Sequence, residues 1–142
     1  ESSLSPCVHA IIAARIGYGA KAYEMYLRTS RLDLDDYNNE VREGLHITSM
    51  AGTWMSIVEG FGGKRIKNEQ LHLNPFIPKQ WDEYSFMITF RENRMEVKVT
   101  DKQVTVVSCS ENTITFFVYN EQVTLKPKTE VVLKMKGNLN EN

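Results

Sequence analysis

Hydrophobic residues follow two different periods along the chain, and the period changes at about residue 63. Before that point, apolar residues recur every three or four positions, as on one face of a helix; after it, they alternate with polar residues, as in half-buried strands. The first part predicts helices over residues 6–15, 20–29 and 46–59. The glycine-rich stretch 60–63 ends the last helix, because glycine readily adopts the left-handed conformation that closes helices.

The first predicted helix follows a short run of serines. Ser5 is a suitable N-cap, and Pro6 is a suitable first helical residue because its missing N–H would be unpaired there anyway. The apolar face that follows comprises Val8, Ile11 and Ile12. A helix start offers unpaired N–H groups and the positive end of the helix dipole, so together with the serine hydroxyls it suits a phosphate or sulfate. The alternative is an ordinary capped helix with solvated serines.

The third predicted helix carries an apolar stripe at i, i+3, i+4 and i+7 spacing. Its core side is predicted to comprise Ile47, Met50, Ala51, Trp54 and Val58. The small residues Ala51 and Gly52 would let a neighbouring helix come close. Three helices with such apolar faces bury little by themselves, which predicts packing partners outside this chain.

Short alternating segments in the second part predict strands. They span residues 84–91, 94–100, 103–109, 113–119, 122–126 and 130–136. Met95, Val97 and Val99 alternate with polar residues, which is typical of a strand with one buried face. Short strands at nearly regular spacing predict an antiparallel β-sandwich.

The acidic run Asp33–Asn39 offers oxygen ligands of the kind that calcium prefers. An EF-hand loop needs glycine at its sixth position and glutamate at its twelfth, where this chain has Asn38 and Gly44. We therefore expect these side chains to hold a tight loop by bonding to their own backbone. No Cys/His spacing matches a zinc site, so no metal is expected.

The remaining histidines and tryptophans fit structural roles better than binding roles. His9 lies among apolar neighbours, which predicts a core histidine, and His72 lies in a strand-like piece facing solvent or the helical layer. Trp54 and Trp81 could stack on sugars, but core packing is the commoner role. The chain lacks the G-x-S-x-G elbow of serine hydrolases, and its glycine-rich stretch follows a helix rather than the strand that dinucleotide loops require.

Composition narrows the function classes further. The 142 residues carry a formal net charge of -1, which argues against a broad nucleic-acid surface. No apolar run approaches the ~20 residues of a membrane span, and the N-terminus lacks the signature of a secretory signal. Cys7 and Cys109 are too few for a disulfide framework, which predicts two buried thiols in a reducing cytoplasm.

Five segments together carry a resemblance to a known family. They are SSLS at 2–5, RLDLDDYNN at 31–39, GLHITSMAGTW at 44–54, VEGFGG at 58–63 and PFIP…W at 75–81. In order and spacing they resemble the C-terminal part of the glycoside phosphorylases of glycoside hydrolase family 65, most of all its maltose phosphorylases. The likeness becomes weaker after about Tyr84.

The resemblance implies an α+β fold in two parts. Residues 1–63 would be the last helices of a catalytic (α/α)6 barrel, and residues 64–142 a small antiparallel β-sandwich domain. It also implies that the chain is the tail of a much longer enzyme, and a start at Glu1 rather than methionine fits this expectation. The rest of the barrel would then be its partner, and a homodimer is the family's usual assembly.

The resemblance further implies an inverting phosphorolysis. Inorganic phosphate would replace water as the nucleophile and cleave an α-linked glucose disaccharide to β-glucose 1-phosphate and glucose, without any cofactor. Maltose is the first substrate expected, while trehalose, kojibiose and nigerose stay open. The glutamate that acts as general acid would lie upstream, so the 142 residues alone are predicted to be inactive.

His46 is the sharpest single candidate for a site residue. It lies at the start of a predicted helix, where the helix dipole favours a neutral imidazole and a bound phosphate would favour imidazolium. A lone histidine is more often structural. By resemblance, His46 belongs to the phosphate site, together with Ser2 and Ser3.

A second interpretation treats the chain as a complete small protein. Its β-sandwich would then be a non-catalytic carbohydrate-binding or interaction module, with the helices as a dimerisation platform. This interpretation gives no reason for the segments that the helical part shares with the phosphorylases.

Overall fold

The computed structural model describes residues 4–36, 39 and 41–137. Its described residues fall into two compact units, one ending at Phe61 and the other beginning at Gly62. The first unit is helical and the second is built of strands, which confirms the predicted α+β class. The division lies two residues before the predicted domain boundary at 63/64.

The helices of the first unit are close to the predicted ones. They are α1 (Ser5–Arg15), α2 (Gly19–Ser30), α3 (Leu32–Asp35) and α4 (Ile47–Met55). A 3₁₀ turn spans Val41–Glu43, and a π-helical segment, Ser56–Phe61, continues α4. The short helix α3 was not predicted, because a four-residue helix leaves no periodic signal.

The start of α1 corrects the predicted cap. Leu4 is the N-cap, and Ser5 already belongs to the helix, so the assignment of Ser5 as N-cap is wrong. Pro6, predicted as the first helical residue, is the second and still lies in the first turn. The face that α1 buries is made mainly of small residues, with Ala10, Ile11, Ala13 and Ala14 inside.

The predicted core face of α4 is also wrong, except at Val58. Ile47 is 74% exposed, Met50 53% and Trp54 50%, so core packing of Trp54 is not observed. The buried residues along this stretch are Ser49, Gly52, Ser56, Val58, Gly60 and Phe61.

Small side chains explain which face of α4 is buried. A Cβ atom on Gly52 would lie 2.9 Å from Cys7 Cβ in α1 and 3.3 Å from Thr29 Cγ2 in α2, so only glycine fits this crossing. The prediction that Gly52 permits a close approach is therefore confirmed. The hydroxyls of Ser56 and Thr29 donate to the carbonyls of Gly52 and Met25, which satisfies them inside the packed face.

The described residues of the second unit form two four-stranded sheets, with orders β1-β2-β6-β7 and β3-β4-β5-β8. Their strands are β1 (Arg65–Lys67), β2 (Gln70–Leu73), β3 (Glu83–Phe90), β4 (Asn93–Thr100), β5 (Gln103–Ser108), β6 (Ile114–Val118), β7 (Glu121–Leu125) and β8 (Glu130–Lys134). The predicted β-sandwich is thus confirmed.

One pairing in the sandwich differs from a purely antiparallel arrangement. Strands β2 and β6 are parallel, with His72 opposite Phe117 and Leu73 opposite Val118. A parallel pair needs a long connection, and here strands β3, β4 and β5 of the other sheet supply it. The remaining pairs are antiparallel, as predicted.

The core of the sandwich follows the predicted alternation. Met95, Val97 and Val99 of β4 are fully buried. The turn between β4 and β5 lies at 101–102 as predicted, whereas two other hairpin turns lie at 91–92 and 119–120, one residue earlier than predicted. In these two turns both residues have positive φ, the conformation of the tight hairpin turn that matches strand twist.

Candidate functional site

The candidate site in the described residues joins α3 to the start of α4. Asp33 lies in α3, and His46 immediately precedes α4 as its N-cap, which confirms the predicted position of His46. The backbone N–H of His46 donates to Asp33 Oδ2 at 2.9 Å, and His46 Nδ1 lies 2.5 Å from Asp33 Oδ1. Both side chains are 17% exposed. One carboxylate therefore holds one histidine at two points.

The charge on Asp33 determines which ring atom carries a proton. The side-chain hydrogen bond from His46, followed by the bond from its backbone N–H, lowers the pKa of Asp33 below the ordinary value of 3.8. At neutral pH the carboxylate is therefore ionised and can only accept hydrogen bonds. Nδ1 of His46 must then be the donor, which determines the tautomer of a neutral ring.

Sequence reasoning missed this partnership. In the sequence, the helix dipole and a bound phosphate are the charges expected to act on His46, and Asp33 is one acid of a longer acidic run. The two residues are thirteen positions apart, so no helical or strand spacing relates them. Only the fold of the connecting segment brings the carboxylate to the imidazole.

The other described carboxylates of the acidic run have structural partners. Arg31 donates two hydrogen bonds to Asp35, at 2.8 and 2.7 Å, and they lower the pKa of this carboxyl. Asp36 has a left-handed backbone and accepts from the N–H of Val41 at 3.1 Å. The predicted bonding to the backbone is confirmed for Asp36, whereas Asp35 bonds to a side chain and lies in the helix α3 rather than in a loop. Over the described ranges, no group of three or more His, Cys, Asp or Glu side chains is arranged to hold a metal ion.

The other predicted phosphate-site residues, Ser2 and Ser3, lie outside the described residues. So do Tyr37, Asn38 and Glu40 of the connection between α3 and α4. The structure thus places one predicted site residue, His46, and adds the carboxylate that holds it.

The remaining candidates have roles unrelated to this pair. His9 is exposed, so its prediction as a core histidine is wrong. His72 stacks on Phe117, with ring centroids 4.7 Å apart and planes 8° from parallel. Cys7 is half-buried and Cys109 exposed, so the expectation of two buried thiols is also wrong.

Two aromatic residues of the sandwich anchor the segment after β2. Tyr84 donates its hydroxyl hydrogen to the Phe76 carbonyl at 2.8 Å, and Tyr119 donates to that of Pro75 at 2.6 Å. Burial raises the pKa of both tyrosines, so both stay protonated donors. Trp81 lies half-buried against Tyr84, with ring centroids 5.7 Å apart, which is a packing role.

Among the helices that the structure describes, none has the length and apolar character needed to cross a membrane.

Comparison with protein families divides the chain at nearly the same place as the fold does. Residues 1–55 match the glycosyl hydrolase family 65 central catalytic domain, and residues 65–125 match the glycosyl hydrolase family 65 C-terminal domain. The first match includes both Asp33 and His46. It also favours the phosphorylase interpretation over a free-standing sandwich module, because a catalytic-domain segment has no place in such a module.

Individual relatives agree with the family match. The chain is 51% identical to the maltose phosphorylase of Bacillus subtilis over 92% of its own length and 17% of that enzyme's. It is 40% identical to the α,α-trehalose phosphorylase of Thermoanaerobacter brockii over 89% of its own length and 16% of that enzyme's. A solved structure from the human microbiome, provisionally named a kojibiose phosphorylase, superposes with a TM-score of 0.86 at 42% identity, covering 94% of this chain and 20% of that one.

These matches cover nearly the whole chain but only about a sixth of each curated relative. They include disaccharide phosphorylases that differ in substrate. The chain belongs to glycosyl hydrolase family 65, and it matches the central catalytic domain and the C-terminal domain of that family in succession.

Proposed function

We propose that this chain forms the C-terminal part of an inverting disaccharide phosphorylase and supplies part of its phosphate site. The observation that carries the proposal is the position of His46. It lies within the stretch that matches the family's catalytic domain, at the start of α4, with its ring held by Asp33. Ser2 and Ser3 are proposed to complete this part of the site.

Phosphorolysis makes particular demands on such a site. An inverting glycosidase needs a general acid at the leaving oxygen and a base that activates water. Phosphate is already an anionic nucleophile, so the base becomes unnecessary. The site must instead hold phosphate in line with the anomeric carbon, which hydroxyls, helix N–H groups and an imidazole can do.

His46 combines two of these means. As the N-cap of α4 it lies beside the first N–H groups of that helix, where anions are favoured. Its Nδ1 is engaged by Asp33, so Nε2 is the ring nitrogen proposed to meet the phosphate. No cofactor is required by this chemistry, with inorganic phosphate as a co-substrate.

The rest of the machinery is proposed to lie in the remainder of the catalytic domain. The curated relatives are about six times longer than the matched region, and they leave ample chain for an (α/α)6 barrel and a general acid. Apolar side chains exposed on α1 and α4 suit packing against such a barrel; they include Val8, Ile12, Ile47, Met50 and Trp54. The 142 residues alone are accordingly expected to be inactive.

Maltose is the proposed substrate, giving β-glucose 1-phosphate and glucose. The 51% identity with a maltose phosphorylase supports it, against 40% and 44% with two trehalose phosphorylases. Kojibiose and trehalose are the alternative substrates that a substrate panel must include.

We further propose that the full-length enzyme is a homodimer in the cytoplasm.

The test uses the polypeptide that carries this chain, as its cell makes it, whose intact mass is expected to be several times 16.3 kDa. It should consume maltose only with phosphate, and NMR should show the β anomer of glucose 1-phosphate. His46→Ala and Ser3→Ala should raise the KM for phosphate at least tenfold, on the order of losing one or two charge-assisted hydrogen bonds.

His9→Ala is the matched control, because it removes an exposed histidine from α1 of the same unit. It should leave the kinetics within twofold of the parent enzyme. A KM for phosphate that is unchanged in both His46→Ala and Ser3→Ala would refute the site assignment. A mass near 16.3 kDa without a second chain that completes the activity would refute the enzyme assignment.

A further inference from the structure

We propose that Asp33 is a positioning residue for the phosphate step, acting through His46. It does so by orienting the imidazole and by stabilising its protonated form. This inference rests on the proposed phosphate site at His46 and adds Asp33 to the residues on which that site depends. Asp33 need not touch the phosphate at any stage.

The geometry supports an orienting role. Oδ1 of Asp33 forms a hydrogen bond with Nδ1 of the His46 ring, and Oδ2 accepts one from the backbone N–H of the same histidine. A carboxylate bound at two points to one residue restrains both the backbone at the start of α4 and the ring plane. Both side chains are partly shielded from water, which strengthens their interaction relative to a fully exposed pair.

The proton count supports an electrostatic role. The ionised carboxylate accepts a hydrogen from Nδ1, so Nε2 can donate to a phosphate only when both ring nitrogens carry protons. Phosphate binding therefore selects the imidazolium form, which adds a positive charge to the hydrogen bond. A carboxylate beside the ring favours that form, and so should extend tight phosphate binding to higher pH.

A purely structural role for Asp33 makes a different prediction. If the carboxylate only ties α3 to the start of α4, its loss should lower stability or total activity without changing how phosphate affinity depends on pH. The neighbouring Asp35 offers a matched control. It lies in the same helix, bears the same charge and forms a two-bond ion pair, but its partner is Arg31.

The experiment measures the KM for phosphate and for disaccharide between pH 5.5 and 8.5 in the full polypeptide. Asp33→Asn should raise the KM for phosphate roughly tenfold at neutral pH, the lower end of the loss seen when a carboxylate that orients a metal-binding histidine is removed. The disaccharide KM should stay within twofold. In Asp33→Asn, phosphate binding should begin to weaken at a lower pH than in the parent enzyme. Asp35→Asn should change neither the KM for phosphate nor its dependence on pH. The titration of phosphate itself affects all variants equally, so it cannot cause a difference between them.

A double-mutant cycle separates this inference from the proposed function. If Asp33 acts through His46, Asp33→Asn should add nothing to the KM effect of His46→Ala. Additive effects, or an unshifted pH profile in Asp33→Asn, would overturn the role of Asp33 while leaving the phosphate site intact. No effect of His46→Ala would instead overturn the site itself.

A second variant covers the case in which Asp33→Asn fails to fold. Asp33→Glu retains the charge but displaces it by one methylene. It should keep the pH profile close to that of the parent enzyme while raising the KM for phosphate. If phosphate binding in Asp33→Glu weakened at the lower pH expected for Asp33→Asn, that result would also contradict the inference.

Discussion

The helical unit and the β-sandwich differ in how far they bury their large apolar side chains. In the sandwich, the alternating apolar positions of β4 are fully buried, as are Phe116 and Val118 of β6. In the helical unit, α4 turns serines and a glycine inward and leaves Ile47, Met50 and Trp54 at least half exposed. The sandwich thus builds a core from its own residues, whereas the helical unit carries a surface suited to a larger core.

This difference matters for how each unit depends on the rest of its protein. A unit that buries its apolar residues gains hydrophobic stabilisation from its own chain. A unit that leaves large apolar side chains in water gains little from them until another surface covers them. The exposed apolar residues and the histidine that we propose for the phosphate site lie in the same unit, as expected if both belong to an interface within a larger catalytic domain.

The largest effect is expected from truncating the sandwich core. Phe116→Ala removes a fully buried ring from β6 and should lower the free energy of unfolding of the sandwich by about 3–5 kcal/mol, through lost burial and the cavity left behind. Urea denaturation of the 142-residue chain, followed by the strand signal in circular dichroism, measures it. Trp54→Ala removes a larger but half-exposed side chain and should cost the helical unit less than about 1 kcal/mol, followed in the same chain by the helix signal at 222 nm. Equal losses in the two variants would contradict the contrast between the units.

A smaller effect is expected where α4 crosses α1 and α2. Gly52→Ala places a Cβ 2.9 Å from Cys7 Cβ, so the helices must move apart. Overpacking costs about 1–3 kcal/mol and the better helix propensity of alanine returns about 1 kcal/mol, which leaves a net loss of about 1 kcal/mol. Gly60→Ala is the control, because its nearest neighbour would lie at an ordinary 3.8 Å. Thermal melting followed at 222 nm should show a lower midpoint for the first variant alone.

The smallest effect is expected on acidification. The pKa values of Asp33 and Asp35 are lowered below 3.8 in the folded helical unit. A depressed folded-state pKa contributes stability above the unfolded value, and this contribution is lost as pH falls through the folded pKa. The helical signal at 222 nm should therefore weaken below about pH 3.8. In the double variant Asp33→Asn, Asp35→Asn this acid-dependent step should be smaller; an unchanged step would show that other groups cause it.

Much of the fold could be predicted because it depends on local spacing. The bounds of α1 and α2 fall within one residue of the predicted ones, and the buried positions of β4 follow the alternation of Met95, Val97 and Val99. Two hairpin turns were placed one residue late, because their residues at 91–92 and 119–120 are not the glycines that usually mark positive φ. The parallel pairing of β2 with β6 has no local signal, since it joins strands from distant parts of the chain.

The candidate site was predictable only in part. His46 could be singled out from its place at a helix start and from the family resemblance, and the structure places it there. Asp33 could not be assigned to it from spacing, because Asp35 and Asp36 lie close by in the same run and serve other partners. The carboxylate that bonds to the ring is selected by the path of the chain between α3 and α4.

By itself the sequence determined where helices give way to strands, the alternation of the sandwich core and the family to which the chain belongs. These properties depend on residue type and spacing, which the chain carries wherever it is placed. The tertiary structure alone decided that α4 buries its small polar side and that Asp33 holds His46. Both depend on which surfaces meet: Gly52 lets α4 approach α1 and α2 closely, and the connection from α3 brings a distant carboxylate to an imidazole.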